Sequence, residues 1–262
     1  MTVRKLGRAI RYRLRNLASG RQAEIRESDV FLVSYPRSGN TWVRFLLANV
    51  IAHDTAQPID FHSVHSVIPD FGIPEHRQLI EALADPRIIK SHSAHDRRFP
   101  RVIYLVRDGR DVMISYYDYQ TKHRRFDGSF RDFLLSSQIP YGLWEDHVQS
   151  WLDARDATDL CIVRYEDLLR DAQRELERMI RFTGVSSTPD MLDQAVRASE
   201  FDQMRRLEET GGRPYGDSAH QFVRRGTAGQ WNSEFDGECK AIFKSRANNL
   251  LRELGYVNSE DW

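Results

Sequence analysis

The stretch Arg101 to Val106 (RVIYLV) is apolar almost without a break, and that feature excludes most folds. A strand that does not alternate apolar and polar residues must be covered on both faces, as in parallel sheets packed between helices. Two further runs repeat the signature, Asp29 to Val33 (DVFLV) and Leu160 to Val163, with a weaker one at Arg87 to Lys90. Between and after them lie segments of helical character: Thr41–Ile51, Glu75–Leu83, a helix opening at Asp108, Ser129–Ser137, Leu143–Ala154, Asp171–Phe182 and Glu238–Leu254. Asp108 is suited to cap its helix, with Asp111 three residues on in the capping-box position. Ala52–Pro74 and Thr210–Ser218 read as loops. This order predicts an α/β fold in three layers, a mostly parallel sheet with helices on both faces. Ligands in such sheets sit outside the carboxyl ends of the strands.

A chain of 262 residues can bury one such domain, and no repeat or Gly/Ser linker divides it. Lysine plus arginine balances aspartate plus glutamate at 38 each, so no nucleic-acid partner is expected. The charge is uneven, however. Arg4, Lys5, Arg8, Arg11, Arg13, Arg15 and Arg21 precede the first acidic residue, Glu24, and Val3, Leu6, Ile10, Leu14 and Leu17 recur among them at helical spacing. Residues 1–22 therefore read as a basic amphipathic helix. Three roles stay open for it: packing on the domain, lying on an anionic membrane surface, or serving as a presequence. Two distant cysteines, Cys161 and Cys239, argue against a disulfide framework and suit a reducing cytoplasm. No run approaches the ~20 apolar residues that span a bilayer. The expected location is the cytoplasm, with contact at the membrane surface left open.

Two strand ends carry chemistry. Val33-Ser34-Tyr35-Pro36-Arg37-Ser38-Gly39-Asn40-Thr41-Trp42 joins a buried strand to a helix. Glycine lets the backbone approach an anion, the helix start offers N–H groups, and Ser38, Asn40, Thr41 and Arg37 add donors. The Walker spacing is missing, so this is a P-loop-like turn with a smaller cradle than a triphosphate needs. The RVIYLV strand ends in Arg107, and its helix carries Ser115 about two turns on. An arginine and a hydroxyl facing one crevice suit a second phosphate monoester, where an NTPase would offer an acidic magnesium partner. A third basic turn is Arg224-Arg225-Gly226. His53, His62, His65, His95 and His123 show no metal-ligand spacing, and no metal is expected. Trp144, Trp151 and Tyr116, Tyr117 and Tyr119 read as packing residues.

Taken together, these three motifs in this order resemble the sulfotransferase family that uses 3′-phosphoadenosine 5′-phosphosulfate (PAPS). The resemblance spans about Phe31 to Phe235 and implies a single sulfotransferase domain over residues 23–262. It implies that the segment Tyr35–Trp42 binds the 5′-phosphosulfate. It further implies that Arg107, Ser115, Arg224, Arg225 and Gly226 bind the 3′-phosphate, and that Trp42, Tyr165, Ser199 and Phe201 surround the adenine. Lys90-Ser91-His92 is similar to the family's Lys-(Ser/Thr)-His, whose histidine is the catalytic base. One departure stands out: Arg37 occupies a position where the family often has lysine. Arginine cannot readily give up its proton, so it would stabilise a leaving oxygen by hydrogen bonding alone.

The expected reaction is transfer of a sulfuryl group from PAPS to an acceptor hydroxyl, with no metal and with adenosine 3′,5′-bisphosphate (PAP) as product. His92 accepts the hydroxyl proton, while Arg37 and Lys90 stabilise the charge that develops. The acceptor is open among small alcohols, phenols, sugars and lipid-linked glycans. Two competing readings are a P-loop-type kinase of a small substrate, which lacks its Walker lysine here, and a non-catalytic PAP-binding protein.

Overall fold

The computed structural model describes residues 22–55, 58–137, 139–211, 226–259 and 262. Strands β1 (Val30–Ser34), β2 (Ile88–Ser91), β3 (Arg101–Val106) and β4 (Asp159–Arg164) form one sheet in the order β2-β1-β3-β4. Every neighbouring pair is parallel. The helices are α1 (Asn40–Ile51), α2 (Val64–Val67), α3 (Arg77–Ala82), α4 (Gly109–Lys122), α5 (Phe130–Leu135), α6 (Trp144–Leu152), α7 (Tyr165–Arg170), α8 (Ala172–Thr183), α9 (Pro189–Ala198), α10 (Phe201–Gly211), α11 (Trp231–Glu234) and α12 (Gly237–Glu253).

The strand sequences explain the three layers. Phe31, Val33, Val102, Tyr104 and Val106 bury one face against Val112 of α4, Trp144 and Trp151 of α6, and Phe243 of α12. The alternate residues Val30, Leu32, Ile103 and Leu105 bury the other face against Leu46 of α1 and Leu176 and Met179 of α8. A strand buried on both sides has no position for a polar residue, which is why RVIYLV reads as continuous. Trp144 and Trp151 are fully buried packing residues. The chain runs from β1 out to β2 and then back past β1 to β3. Strand order therefore reverses at β1/β3, and the crevice opens there, beyond Ser34 and its register partner Leu105.

Several expectations need correction. Asp108 does cap α4, accepting from the Arg110 N–H, but Asp111 does not close a capping box. The Asp108 N–H donates to Glu166 Oε1 (3.0 Å), and the buried Asp111 carboxylate accepts from Gly229 N (2.7 Å) and Trp231 N (3.0 Å). Long-range donors have replaced the local motif. The segment read as loop before Pro74 contains α2 and a parallel bridge of Asp70 to Lys90, which extends the sheet beyond β2. Helices α7, α9 and α10 fall where none was expected. Of these, α9 carries legible signals: Thr188 caps it, accepting from Met191 N at 3.3 Å, and Pro189 opens it. Apart from Gln22, the expected N-terminal helix lies outside the described residues. Among the described residues no helix is long and apolar enough to cross a membrane.

Candidate active site

The turn between β1 and α1 is built on two left-handed residues, Arg37 (φ 72°) and Gly39 (φ 97°). Backbone of this hand gathers successive N–H groups into an anion-binding concavity, here at a helix N-terminus. Gly39 is required twice over. Its φ is unfavourable for any other residue, and a Cβ would lie 2.5 Å from Cδ2 of Tyr165. Gly39→Ala is expected to cost about 1–2 kcal/mol of stability from backbone strain alone, with a further loss of PAP affinity as the Tyr165 ring is displaced. Urea unfolding and calorimetric PAP titration would read the two effects separately.

The second expected anion site adjoins the first. Arg107, at the tip of β3, donates to the Arg37 carbonyl (3.2 Å) and to the Thr227 carbonyl (3.1 Å). Its guanidinium stacks 4.7 Å from the centre of the Tyr165 ring and lies 3.7 Å from Asp111 Oδ2. Arg37 reaches across, its Nε donating to Ser115 Oγ at 3.2 Å and its guanidinium standing over Tyr119 at 5.1 Å. The residues expected on the adenine side also gather. Trp42 Nε1 donates to the Ser199 carbonyl (3.0 Å) and the indole meets Tyr165 edge-on. A Cβ on Gly226, whose φ is 57°, would lie 3.4 Å from Phe201 and 3.9 Å from the Tyr165 hydroxyl. Thr41 sits half-buried in the first turn of α1. Arg224 and Arg225 lie outside the described residues.

Three polar atoms in this crevice are buried without a hydrogen-bond partner among the described residues: Ser38 Oγ, Asn40 Oδ1 and Arg107 Nε. Buried polar groups are costly unless satisfied. Two of the three can donate, beside a left-handed turn and an arginine, so the residues fit a nucleotide with a phosphate at each end. Among the described residues no group of His, Cys, Asp or Glu is arranged to hold a metal ion.

His92 stands just past the tip of β2. Its Nδ1 lies 2.7 Å from the Ser34 carbonyl, the last residue of β1 before the phosphate turn, and 3.4 Å from Ser34 Oγ. A carbonyl only accepts, so Nδ1 carries the proton and the lone pair of the neutral ring is on Nε2. Burial, with the neighbouring Lys90 charge second, holds the imidazole pKa down at about 3. The neutral ring is thus the form present in ordinary buffers. Lys90 itself is in a buried ion pair with Asp70 Oδ2 at 2.5 Å. Behind His92, His147 of α6 lies with Nε2 3.3 Å from the His92 carbonyl and Nδ1 3.0 Å from the Tyr104 hydroxyl. Trp151 Nε1 donates to the Ser93 carbonyl at 3.1 Å. The segment carrying the imidazole is held from both sides.

Sequence reasoning missed Asp70, His147 and the long-range role of Asp111. Asp70 fell in a segment read as loop, and His147 sat unnoticed in an amphipathic helix whose apolar stripe accounted for its neighbours. Only Asp111 gave a signal, a buried-side carboxylate at a helix start, and it was assigned to the local cap.

A parallel sheet with a phosphate-type turn at its switch point, a cationic strand tip on one side of that turn and a neutral imidazole on the other defines a nucleotide-dependent group-transfer enzyme. The family model for the sulfotransferase domain matches residues 27–255, and the chain belongs to that family; it is a sulfotransferase. Sulfotransferase 1B1 of Mus musculus is 27% identical over 253 residues, covering 86% of this chain and 85% of the relative. Sulfotransferase 1E1 of Cavia porcellus is 25% identical over 235 residues, covering 81% and 79%. The fold is shared with mouse sulfotransferase SULT7A1, solved complexed with PAP (TM-score 0.69, 22% identity, 90% of this chain and 91% of that one). It is also shared with retinol dehydratase, solved with retinol and PAP (TM-score 0.69, 18% identity, 96% and 86%).

Proposed function

We propose that this sulfotransferase takes its sulfuryl group from PAPS and delivers it to the hydroxyl of a small acceptor, with His92 as general base. One observation carries the reading. The hydrogen bond from His92 Nδ1 to the Ser34 carbonyl ties the base to the strand that launches the phosphate turn. Proton acceptor and anion cradle therefore move as one unit, which is the positional demand of an in-line transfer.

The residues divide the work. The turn Arg37–Thr41 and Trp42 hold the 5′ end of the nucleotide. Arg107 and Ser115 hold the 3′-phosphate, joined by Arg224, Arg225 and Gly226. Trp42, Tyr165, Ser199 and Phe201 enclose the base. When bound, PAPS supplies the sulfuryl group and departs as PAP, an anion that needs no proton to leave. His92 Nε2 takes the hydroxyl proton as the acceptor oxygen bonds to sulfur. Arg37 and Lys90 donate to oxygens on which negative charge grows, and Arg37 does so without proton transfer.

The Tyr141 ring meets His92 edge-on at 5.5 Å, and the Tyr35 hydroxyl donates to the Gly142 carbonyl at 2.8 Å. Aromatic walls beside the imidazole favour an acceptor with an apolar body, as pockets for small organic ligands commonly do. The retinol of the retinol dehydratase complex has that character. We read residues 23–262 as one catalytic domain and residues 1–22 as a basic amphipathic segment attached to it. The two free thiols, Cys161 and Cys239, support a cytoplasmic enzyme. Incubation with labelled PAPS against panels of phenols, alcohols, sugars and lipid-linked glycans tests the reading. Label should pass to a hydroxyl acceptor; transfer to none of the panels, by a protein that binds PAP, would favour a binding protein instead.

A further inference from the structure

We infer that Asp70 is a positioning residue for the transfer step, holding Lys90 beside His92 as a neutralised pair so that the imidazole can accept the hydroxyl proton. The inference rests on the reading of His92 as base.

Its geometry is unusual for a residue outside the named strands. The segment Pro69–Phe71 is attached to Lys90 three times: Lys90 N donates to the Pro69 carbonyl (2.8 Å), Phe71 N donates to the Lys90 carbonyl (2.8 Å), and between them Lys90 Nζ donates to Asp70 Oδ2 (2.5 Å). The remaining oxygen, Oδ1, accepts from Gly72 N at 2.9 Å, and Asp70 N donates to His76 Nδ1 at 2.9 Å. The carboxylate therefore has no freedom to turn away. Both Asp70 and Lys90 are buried.

Charge makes this pairing matter. The groups acting on Lys90 are Asp70 and Arg44; those acting on His92 are Lys90, Asp70 and His147. His65 and His76 lie behind them, their rings 5.0 Å apart and tilted at 58°, and both are held below the usual imidazole range, chiefly by burial. Among the described residues, Asp70 is the only carboxylate acting on both Lys90 and His92. Burial pulls the Lys90 pKa down and Asp70 pulls it back up. Burial pushes the Asp70 carboxyl up, yet Lys90, His92 and the Gly72 N–H together leave it below the ordinary value. When His92 takes a proton, a second cation appears beside Lys90 in a poorly hydrated place. Without Asp70 the two repel, and a buried ammonium without a partner tends to neutralise.

The sign of the pH effect follows. Lys90 acts as a cation, so its contribution is lost as pH rises through its pKa. Removing the Asp70 charge lowers that pKa and brings the loss to lower pH. Asp70→Asn keeps the shape and removes the charge. It is expected to lower kcat about tenfold, the worth of one pK unit, and to move the alkaline limb of kcat downward, with PAP affinity unchanged. Asp70→Glu should leave the alkaline limb near the wild-type position. In a Lys90→Met background the further change Asp70→Asn should have little effect, since it acts through Lys90. A purely structural role would instead lower the melting temperature, leave the limb in place and persist in that background, and any of these last two results overturns the inference.

A second readout needs no acceptor. In protein carrying 13Cε-labelled lysine, the Lys90 signal is assigned by its absence in Lys90→Met, and its titration midpoint should fall in Asp70→Asn. An unchanged midpoint overturns the inference even if no acceptor is found, whereas failure of the wild-type protein to transfer sulfate counts only against the function on which it rests.

Discussion

Replacing His92 by alanine is expected to cut sulfuryl transfer by about 10²–10⁴-fold, the usual worth of a general base, while PAP binds as before. The separation is the informative part. The proposed phosphate contacts are assigned to other residues, and the imidazole Nδ1 is spent on the Ser34 carbonyl. Its loss therefore removes an interaction needed only as the hydroxyl proton departs, and kcat and kcat/KM should fall together. Calorimetric titration with PAP alongside labelled-sulfate turnover would read both quantities on one preparation. Near-full activity in His92→Ala would dismiss the base assignment. The pH profile gives a companion check. A base works unprotonated and is lost as pH falls through its pKa, which here lies at about 3 rather than at the ordinary 6.5. His92 should therefore produce no acidic limb in kcat/KM between about pH 5 and 8, the window in which an unperturbed histidine titrates.

Why the strands and the turn of this site are legible in the sequence, and much of what surrounds His92 is not, has a physical reason. The strands announce themselves because burial on both faces excludes polar residues, as RVIYLV shows. The phosphate turn announces itself because a left-handed turn at a strand–helix junction demands glycine, and Gly39 stands there with φ 97°. Such constraints are local, and a sequence records them locally. Asp70 obeys no local rule. It matters because main-chain pairing to β2 brings it to Lys90 across a sequence separation of 20 residues. Asp111 is more instructive, since a correct local signal pointed to the wrong partner. The box geometry was available, but Glu166 took the Asp108 N–H and two backbone donors at Gly229 and Trp231 took the Asp111 carboxylate. Buried donors must find acceptors somewhere, and a tertiary demand outweighed an optional cap. Tyr165, Ser199 and Phe201 form an intermediate case. Resemblance alone pointed to them, while the helices that carry or adjoin them, α7, α9 and α10, went unread in a stretch of mixed polarity.

Asp111 also bears on the other large effect expected, that of Arg107→Ala. Arg107 is the hub of the crevice: it donates to the carbonyls of Arg37 and Thr227, stacks on Tyr165, lies near Asp111, and keeps a buried Nε without a partner among the described residues. A hydrogen bond to a charged group contributes about 1.5–3 kcal/mol, so losing one such contact to phosphate should weaken PAP binding by about 10- to 150-fold. The loss should exceed that of Ser115→Ala, where a neutral hydroxyl is removed. Arg107→Lys should recover only part of it, because a point charge cannot serve the Arg37 turn, the Thr227 carbonyl and a phosphate at once. The same substitution leaves Asp111 buried without its cation, while its two backbone donors remain. Burial already raises the Asp111 pKa against the opposing pull of Arg107, so the carboxyl should protonate more readily in Arg107→Ala. A protonated carboxyl accepts the Gly229 and Trp231 N–H groups less well, and the segment they anchor is the one that carries Gly226 to the Tyr165 ring. PAP affinity in Arg107→Ala should therefore decline further as pH falls, while in the wild-type protein Arg107 holds that decline to lower pH. Titrations at two pH values decide it. An affinity loss under threefold in Arg107→Ala, well below the contribution of a single charged hydrogen bond, would mean that the 3′-phosphate is bound elsewhere.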